Sequence, residues 1–232
     1  MDIDRIKRQL ARPATRFFAG GFRPAGTDEE SWIGRVFLFA DGEDVPVDAS
    51  GAAMVPLLQL HLPTLPVVPA ALQGIRVLTI FISAQLPEVL EPMGANWLVR
   101  EYAADVPLQR RVLPPADGQG LAPFPLRAER VDEDHPLWDG GGVPWALAEE
   151  ILALEDAGRI AGYYDVTCHA YEHKLGGWPS FCQSGVDPGE GFEFMLQVSS
   201  DEKVGLNVVD NGSLMFWRHH DSGEWALYYD FH

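Results

Sequence analysis

The chain has 232 residues and a hydrophobic fraction of 47 %, which indicates one globular domain rather than a disordered chain. Its formal charge of −17 comes from 34 acidic and 17 basic residues, and such a field disfavours nucleic acid and anionic membranes as partners. No apolar run reaches the roughly 20 residues of a membrane span. The N-terminus is charged, unlike a secretion signal, and the two cysteines do not make a disulfide framework. We therefore expect a cytoplasmic protein, and no motif calls for a cofactor.

The first half of the chain predicts one helix followed by strands. Ile3, Ile6 and Leu10 have helical spacing, and Pro13 ends the pattern, so a helix is expected over residues 2–12. Apolar runs then predict strands at 15–19, 35–40, 54–62, 75–83 and 97–102.

The second half predicts a connector, a helix and a further group of strands. Residues 105–143 are rich in Pro and Gly and are interpreted as an extended connector with a strand near 125–130. Pro144 suits the first position of a helix over 144–157, with Gly158 as its stop. Strands are expected at 192–199, 206–209, 212–218 and 224–231, with Asp210-Asn211-Gly212 as a hairpin turn. The fold class is therefore α+β, mostly β, with antiparallel sheets.

The same order of features occurs twice along the chain. Gly20-Gly21-Phe22 precedes an apolar strand containing Gln59, and Gly176-Gly177-Trp178 precedes an apolar strand containing Gln197; in both places another apolar strand follows. We interpret this as two diverged repeats, about 14–104 and 144–232, within a single domain of residues 1–232, and residues 32–49 as an insertion in the first repeat. Two such copies usually pack around a pseudo-twofold axis and leave a groove between them.

The paired glycines are predicted to be structural. At least one glycine of each pair is expected to have positive φ, a conformation that glycine adopts at little cost. Each turn would then deliver an aromatic side chain, Phe22 or Trp178, into the interface between the copies.

Reactive side chains are densest between residues 168 and 182. They are Cys168, His169, Glu172, His173 and Cys182. Zinc could use His and Cys ligands, but the spacing fits no compact zinc motif. A Cys182–His173 thiolate pair is conceivable, although no flanking signature supports it. The alternative is that His173 bonds to backbone in the turn and the cysteines pack as small apolar residues. The sequence leaves open whether these residues converge.

Gln59 and Gln197 are polar residues within apolar strands. A buried amide without a hydrogen-bond partner costs about 1–3 kcal/mol. Each glutamine is therefore expected either to hold the packing of the two repeats together or to face a shared cleft, and packing is the favoured role.

The segment His173-Lys174-Leu175-Gly176-Gly177-Trp178-Pro179, followed by Gln183, by Leu196-Gln197-Val198 and by Asn211-Gly212-Ser213-Leu214-Met215-Phe216-Trp217, resembles the YwqG-like family. This bacterial family is of unknown function, and its pattern is similar over 173–217 and weaker in the first half. The resemblance implies an α+β fold with internal duplication and supplies no catalytic residues. Members often lie near toxin systems, which hints at an immunity role.

The leading hypothesis is a non-enzymatic, acidic interaction protein that binds a basic protein, possibly as an immunity protein against a bacterial toxin. The alternative is an enzyme or small-molecule binder that uses the cleft between the repeats. Candidate cleft or interface residues are His173, Trp178, Gln183, Gln59 and Gln197, with Cys182 as the one plausible nucleophile under the alternative.

Overall fold

A computed structural model of the protein describes residues 3–113 and 120–231. The two α-helices are α1 (Ile3–Leu10) and α2 (Trp145–Asp156). The strands are β1 (Arg12–Ala19), β2 (Trp32–Ile33), β3 (Leu38–Ala40), β4 (Val55–His61), β5 (Ile75–Ile82), β6 (Trp97–Ala103), β7 (Leu108–Arg110), β8 (Phe124–Asp134), β9 (His173–Gly176), β10 (Phe192–Ser199), β11 (Ser213–His219) and β12 (Trp225–Asp230). Asp2 of the predicted first helix and residues 114–119 of the predicted connector lie outside the described residues.

The strands form one large sheet and one small one. The large sheet has ten strands in the order β6-β5-β4-β2-β8-β1-β9-β10-β11-β12, and the small sheet pairs β3 with β7. All of these pairings are antiparallel. The prediction of a β-rich, antiparallel fold with an N-terminal and a mid-chain helix is confirmed.

The large sheet curls until its two outer ends meet. The Trp97 ring on β6 packs edge-on against the Phe216 ring on β11, with ring centroids 6.1 Å apart. At the same place Glu101 accepts hydrogen bonds from Arg218 at 2.7 Å and from the indole of Trp225 at 2.7 Å. The main apolar core therefore draws side chains from both ends of the sheet.

Two parts of the chain have a more central place than the sequence suggested. Strand β8, within the predicted connector, lies between β1 and β2 in the middle of the sheet. Strand β2, within the predicted insertion, pairs with both β4 and β8. Both interpretations were wrong, because β2 is too short to give a periodic pattern and β8 alternates charged, partly exposed residues with its apolar ones.

The predicted correspondence between the two glycine pairs is also corrected. Gly20 and Gly21 follow β1, whereas the strand that pairs with the Gln59 strand is β2, and Gly34 follows it. On the other side, Gly176 ends β9, which pairs with the Gln197 strand. Gly34 thus occupies the place that the sequence comparison gave to Gly20 and Gly21. The duplication itself stays a prediction.

The expected strand at 206–209 is replaced by a loop. Leu206 makes an isolated bridge with Asp201, whose carboxylate accepts a hydrogen bond from the Lys203 N–H at 2.8 Å. Val209 has φ of 55°, outside the β region, so residues 210–212 cannot close a tight hairpin onto it. Strand β10 reaches β11 through this longer loop.

The two helices pack against each other on a separate small core. Ile6 and Leu10 of α1 contact the inner stripe of α2, formed by Leu147, Ile151 and Leu154. In the described part of the chain neither helix has the length and apolar character needed to cross a bilayer.

Candidate functional site

A cleft of about 660 Å³ opens beside the second glycine pair. One wall is backbone of residues 140–142, Gly176 and Gly177, together with the ring of Trp178. The opposite wall carries the aromatic residues Phe181, Phe192, Phe194 and Trp217, and the carboxylate residues Asp187 and Glu193 also line it. We call this site the glycine cleft. Its lining combines aromatic rings with negative charge.

The glycines of this wall are required by close approaches. Gly177 has φ of +72°, and a Cβ there would lie 2.2 Å from a carboxylate oxygen of Asp134. A Cβ on Gly142 would lie 2.6 Å from the Trp178 ring. Any side chain at either position would displace the groups that build the cleft.

The prediction of positive φ in both glycine pairs is confirmed, whereas the prediction for the first aromatic residue is wrong. Gly20, Gly21, Gly176 and Gly177 have φ of 66°, 84°, 76° and 72°. Trp178 lines the glycine cleft, but Phe22 is 43 % exposed. The chain after Gly21 runs outward because no strand follows until β2.

Trp178 is held in place and carries a cation on its face. Its indole N–H donates to the Leu10 carbonyl at 2.8 Å, which fixes the plane of the ring. The Arg12 guanidinium lies over the ring, 3.4 Å from its centroid, as a cation–π contact. Burial lowers the pKa of Arg12, and the nearby carboxylates of Glu193 and Asp134 oppose this shift. Arg12 stays charged at neutral pH, so it is the internal cation of the cleft.

Beneath the cleft lies a fully buried ion pair. Lys174 Nζ is 2.9 Å from Asp134 Oδ2, and neither side chain has measurable exposure. Asp134 also accepts hydrogen bonds from the backbone N–H groups of Ala170 at 2.8 Å and Trp178 at 2.7 Å. Burial lowers the pKa of Lys174 to about 8, against the raising effect of Asp134. This pair ties β8 to β9 and to the turn that presents Trp178.

His169 and Ser180 extend this network. His169 Nδ1 lies 2.6 Å from the His135 carbonyl, so Nδ1 carries the proton and Nε2 accepts. Ser180 Oγ is 2.7 Å from that Nε2, and Lys174 Nζ is 3.3 Å from it. Burial, with the ammonium of Lys174, lowers the pKa of His169 to about 4, so the ring is neutral at pH 7.

A serine that donates to a neutral histidine is also the beginning of a nucleophilic dyad. Ser180, however, is only 5 % exposed, and its hydroxyl is bound within the network by Gln197 Nε2 at 2.9 Å. The neighbours of Ser180 along the chain, Pro179 and Phe181, line the cleft. The arrangement therefore supports the shape of the cleft wall rather than offering a reactive hydroxyl to a ligand.

Both conspicuous glutamines are buried and engaged by backbone. Gln59 is 0 % exposed, and its Oε1 accepts from the N–H groups of Phe37 and Leu38, each at 3.0 Å. Gln197 is 1 % exposed; its Oε1 accepts from the Ser180 N–H at 3.0 Å, and its Nε2 donates to the Glu172 carbonyl at 3.0 Å. Each amide holds a loop against its strand, as a packing role requires.

The remaining predicted site residues lie elsewhere. His173 is buried; its Nδ1 accepts from the Ser199 N–H at 3.0 Å, and its Nε2 is 3.3 Å from Asp201. The side chain of Gln183 donates to the Phe231 carbonyl at 3.2 Å. Neither residue lines the glycine cleft, and of the five candidates Trp178 alone does so.

The cysteines do not converge with the histidines on a metal site. Cys168 lies beside His135, with Sγ 3.5 Å from Nδ1, whereas the N–H of Cys182 donates to Asp230 at 2.9 Å. Burial raises the pKa of both thiols, which disfavours the thiolate form. Within residues 3–113 and 120–231, no group of three or more His, Cys, Asp or Glu side chains is arranged to hold a metal ion.

Sequence reasoning missed Asp134, Lys174 and Arg12. Lys174 gave a usable signal, since it is a charged residue between apolar ones directly before two glycines. Asp134 gave none, because it ends the acidic run Asp132-Glu133-Asp134, which is typical of a solvated surface.

No protein-family model and no curated protein sequence matches this chain.

Proposed function

We propose that the protein is a non-enzymatic binding protein whose partner is a basic protein, and that the partner docks on the outer face of α2. The observation that carries this proposal is an exposed pair of large apolar side chains within an acidic surface. Trp145 is 78 % exposed and Leu152 is 48 % exposed. Large apolar residues that a monomer leaves in water are typical of interaction sites, and tryptophan is the residue most enriched at their centres.

The helix places these side chains on one stripe with acidic neighbours. Trp145, Glu149, Leu152 and Asp156 recur every three or four residues, so they share one face, opposite to the stripe that packs on α1. Glu149, Glu155 and Asp156 are exposed, and Glu150 is already bound to Arg5. We define the outer face of α2 as Trp145, Glu149, Leu152, Glu155 and Asp156. It fits a segment with apolar anchors flanked by lysine or arginine.

Many of the arginines of the protein are engaged internally, which leaves the acidic excess unbalanced. Arg16, Arg127 and Arg130 bind carboxylates on or beside β8. Arg100, Arg111 and Arg218 do so near the small sheet and β6. The formal charge of −17 therefore acts on the surroundings, and it would steer a basic partner towards the surface.

This proposal includes the narrower hypotheses raised by the sequence. The resemblance to the YwqG-like family and the acidic surface both support a cytoplasmic immunity protein that neutralises a basic bacterial toxin. A cleft-using enzyme is the weaker alternative, because the polar groups closest to the glycine cleft are engaged with one another.

The test is salt-dependent capture with matched variants. The parent protein, immobilised at low salt, is expected to retain a basic protein from the source lysate and to release it at high salt. The purified partner is then titrated against Trp145→Ala and Glu149→Lys. Affinity should fall at least about tenfold for each, because truncating a central anchor costs about 2 kcal/mol or more.

Two controls separate the outer face of α2 from general charge and hydrophobicity. Phe22→Ala removes an exposed aromatic residue elsewhere, and Glu202→Lys reverses a charge in the loop after β10. Both should bind the partner within about twofold of the parent. Equal losses for Glu149→Lys and Glu202→Lys would show that binding follows net charge alone and would contradict the proposed face.

A further inference from the structure

The glycine cleft already holds a guanidinium group on an aromatic face. Arg12 lies 3.4 Å above the centroid of the Trp178 ring. The ring cannot turn, because its N–H is bound to the Leu10 carbonyl and its edge packs on Gly142. A tryptophan face within about 6 Å is the best aromatic surface for a cation. The site is therefore preorganised for a flat cation and is filled by one from its own chain.

The charge around this face is negative. Glu193 is exposed, acts electrostatically on Arg12, and forms no ion pair within 4 Å among the described residues. Asp187 also lines the cleft, and one of its oxygens accepts the Gly189 N–H at 2.9 Å. The exposed Glu193 carboxylate is thus free to bind an incoming cation.

The space beyond Arg12 is larger than one side chain. A cavity of about 660 Å³ exceeds what a single guanidinium needs, and its far wall is aromatic, with Phe194 and Trp217 packed edge to face at 5.7 Å. The cleft also adjoins the outer face of α2, because Gly142 lines the cleft and Trp145 begins the helix three residues later. A partner lying on α2 could therefore reach the cleft with a side chain.

We propose that the glycine cleft binds an arginine side chain of the basic partner, which replaces Arg12 on the face of Trp178. This inference rests on the proposed function, since it names the group that the same partner inserts. Arginine fits better than lysine because its planar guanidinium stacks on an aromatic ring while bonding to a carboxylate in its plane. Arg12 is then an internal competitor that keeps the face covered until the partner arrives.

The experiment uses N-acetyl-arginine amide as the probe, titrated against the full chain and followed by indole N–H chemical shifts. Arg12→Ala should bind the probe at least about fivefold more tightly than the parent, because the competitor is gone. Glu193→Gln should bind it at least about threefold more weakly. N-acetyl-citrulline amide, which has nearly the same shape without the charge, should bind neither protein measurably. Urea midpoints of each variant check that the fold is kept.

Arg35→Ala is the matched control, since Arg35 also lies over a tryptophan, 4.8 Å from the ring centroid of Trp32, outside the glycine cleft. It should leave probe binding unchanged. Tightening by Arg35→Ala as large as by Arg12→Ala, equal binding of the citrulline probe, or no tightening by Arg12→Ala would each overturn the inference.

The outcome is separable from that of the proposed function. Trp145→Ala should abolish capture of the basic partner and leave binding of the arginine probe unchanged. If the parent captures a partner with an affinity that neither Arg12→Ala nor Glu193→Gln changes, the cleft inference fails and the proposed function stands. If the probe binds as expected and no basic partner is captured, the proposed function fails and the cleft remains an arginine-binding site.

Discussion

Lys174 and Asp134 form an ion pair with no exposure to solvent, although forty positions separate them in the sequence. Asp134 ends β8 and Lys174 lies in β9, and β1 runs between these two strands. The same carboxylate binds the N–H of Trp178, so the pair also fixes the turn that forms one wall of the glycine cleft. Loss of either charge is therefore expected to affect both the stability of the fold and the shape of the cleft.

Breaking this pair should be strongly destabilising. Lys174→Met leaves a buried carboxylate without its cation, which costs about 3–5 kcal/mol. Asp134→Leu should cost more than Lys174→Met, because the N–H groups of Ala170 and Trp178 also lose their acceptor. Urea denaturation at pH 7 measures both. Arg130→Met is the control: its partner Asp132 is 76 % exposed, and such a pair contributes about 0–1 kcal/mol. Equal costs for Lys174→Met and Arg130→Met would contradict the role of the buried pair.

Acid should destabilise the protein through His169. The fold lowers the pKa of this ring from an ordinary 6.5 to about 4, so the unfolded chain takes up its proton first. The stability that His169 contributes is complete above pH 6.5 and is lost as the pH falls towards 4, by about 3 kcal/mol in total at about 1.4 kcal/mol per pKa unit. Urea midpoints measured from pH 7.5 to 4 should show the loss.

His169→Gln isolates this contribution, since it removes the titrating ring. Its free energy of unfolding should fall less steeply between pH 6.5 and 4 than that of the parent. His220→Gln serves as the control, because His220 is exposed and its pKa is raised rather than lowered. It should keep the steep dependence of the parent, and parallel pH profiles for the parent and His169→Gln would refute the assignment.

Gly177 should tolerate no side chain, whereas Gly21 should tolerate alanine at a moderate cost. Both have positive φ, which strains any residue with a Cβ by about 1–3 kcal/mol. At Gly177 the added Cβ also meets Asp134 at 2.2 Å, whereas at Gly21 nothing lies within 4 Å. Gly177→Ala should therefore destabilise the fold by at least about 1 kcal/mol more than Gly21→Ala. Chemical denaturation of both variants checks the order, and equal midpoints would mean that strain alone matters at Gly177.

Gln59 is expected to be needed for the loop that follows Gly34. In Gln59→Leu the N–H groups of Phe37 and Leu38 lose their common acceptor, at a cost of about 1–3 kcal/mol for each group left unsatisfied. Gln9→Leu is the control, because Gln9 is exposed and accepts a hydrogen bond only from Arg5 among the described residues. Thermal unfolding should show a large decrease in Tm for Gln59→Leu and little change for Gln9→Leu. A small decrease for Gln59→Leu would mean that water replaces the amide.

Much of the local structure could be predicted from the sequence. Helix α2 was predicted over 144–157 and is found at Trp145–Asp156, because its three-leucine and isoleucine stripe is long and regular. Strands β4, β5, β6 and β10 were predicted within about two residues, since each is a continuous apolar run. The positive φ of Gly176 and Gly177 was also predicted, because Pro179 follows them at once.

The sequence by itself determined the β-rich fold class, the helices and the acidic character, since these depend on local periodicity and on composition. Only the tertiary structure decided which residues form the candidate site. Asp134 looks solvated within its acidic run and becomes buried because β8 lies in the middle of the sheet. Arg12 meets Trp178 because β1 and β9 are paired, although 166 positions separate the two residues. Contacts between residues so far apart in the chain leave no periodic pattern, so a single sequence cannot reveal them.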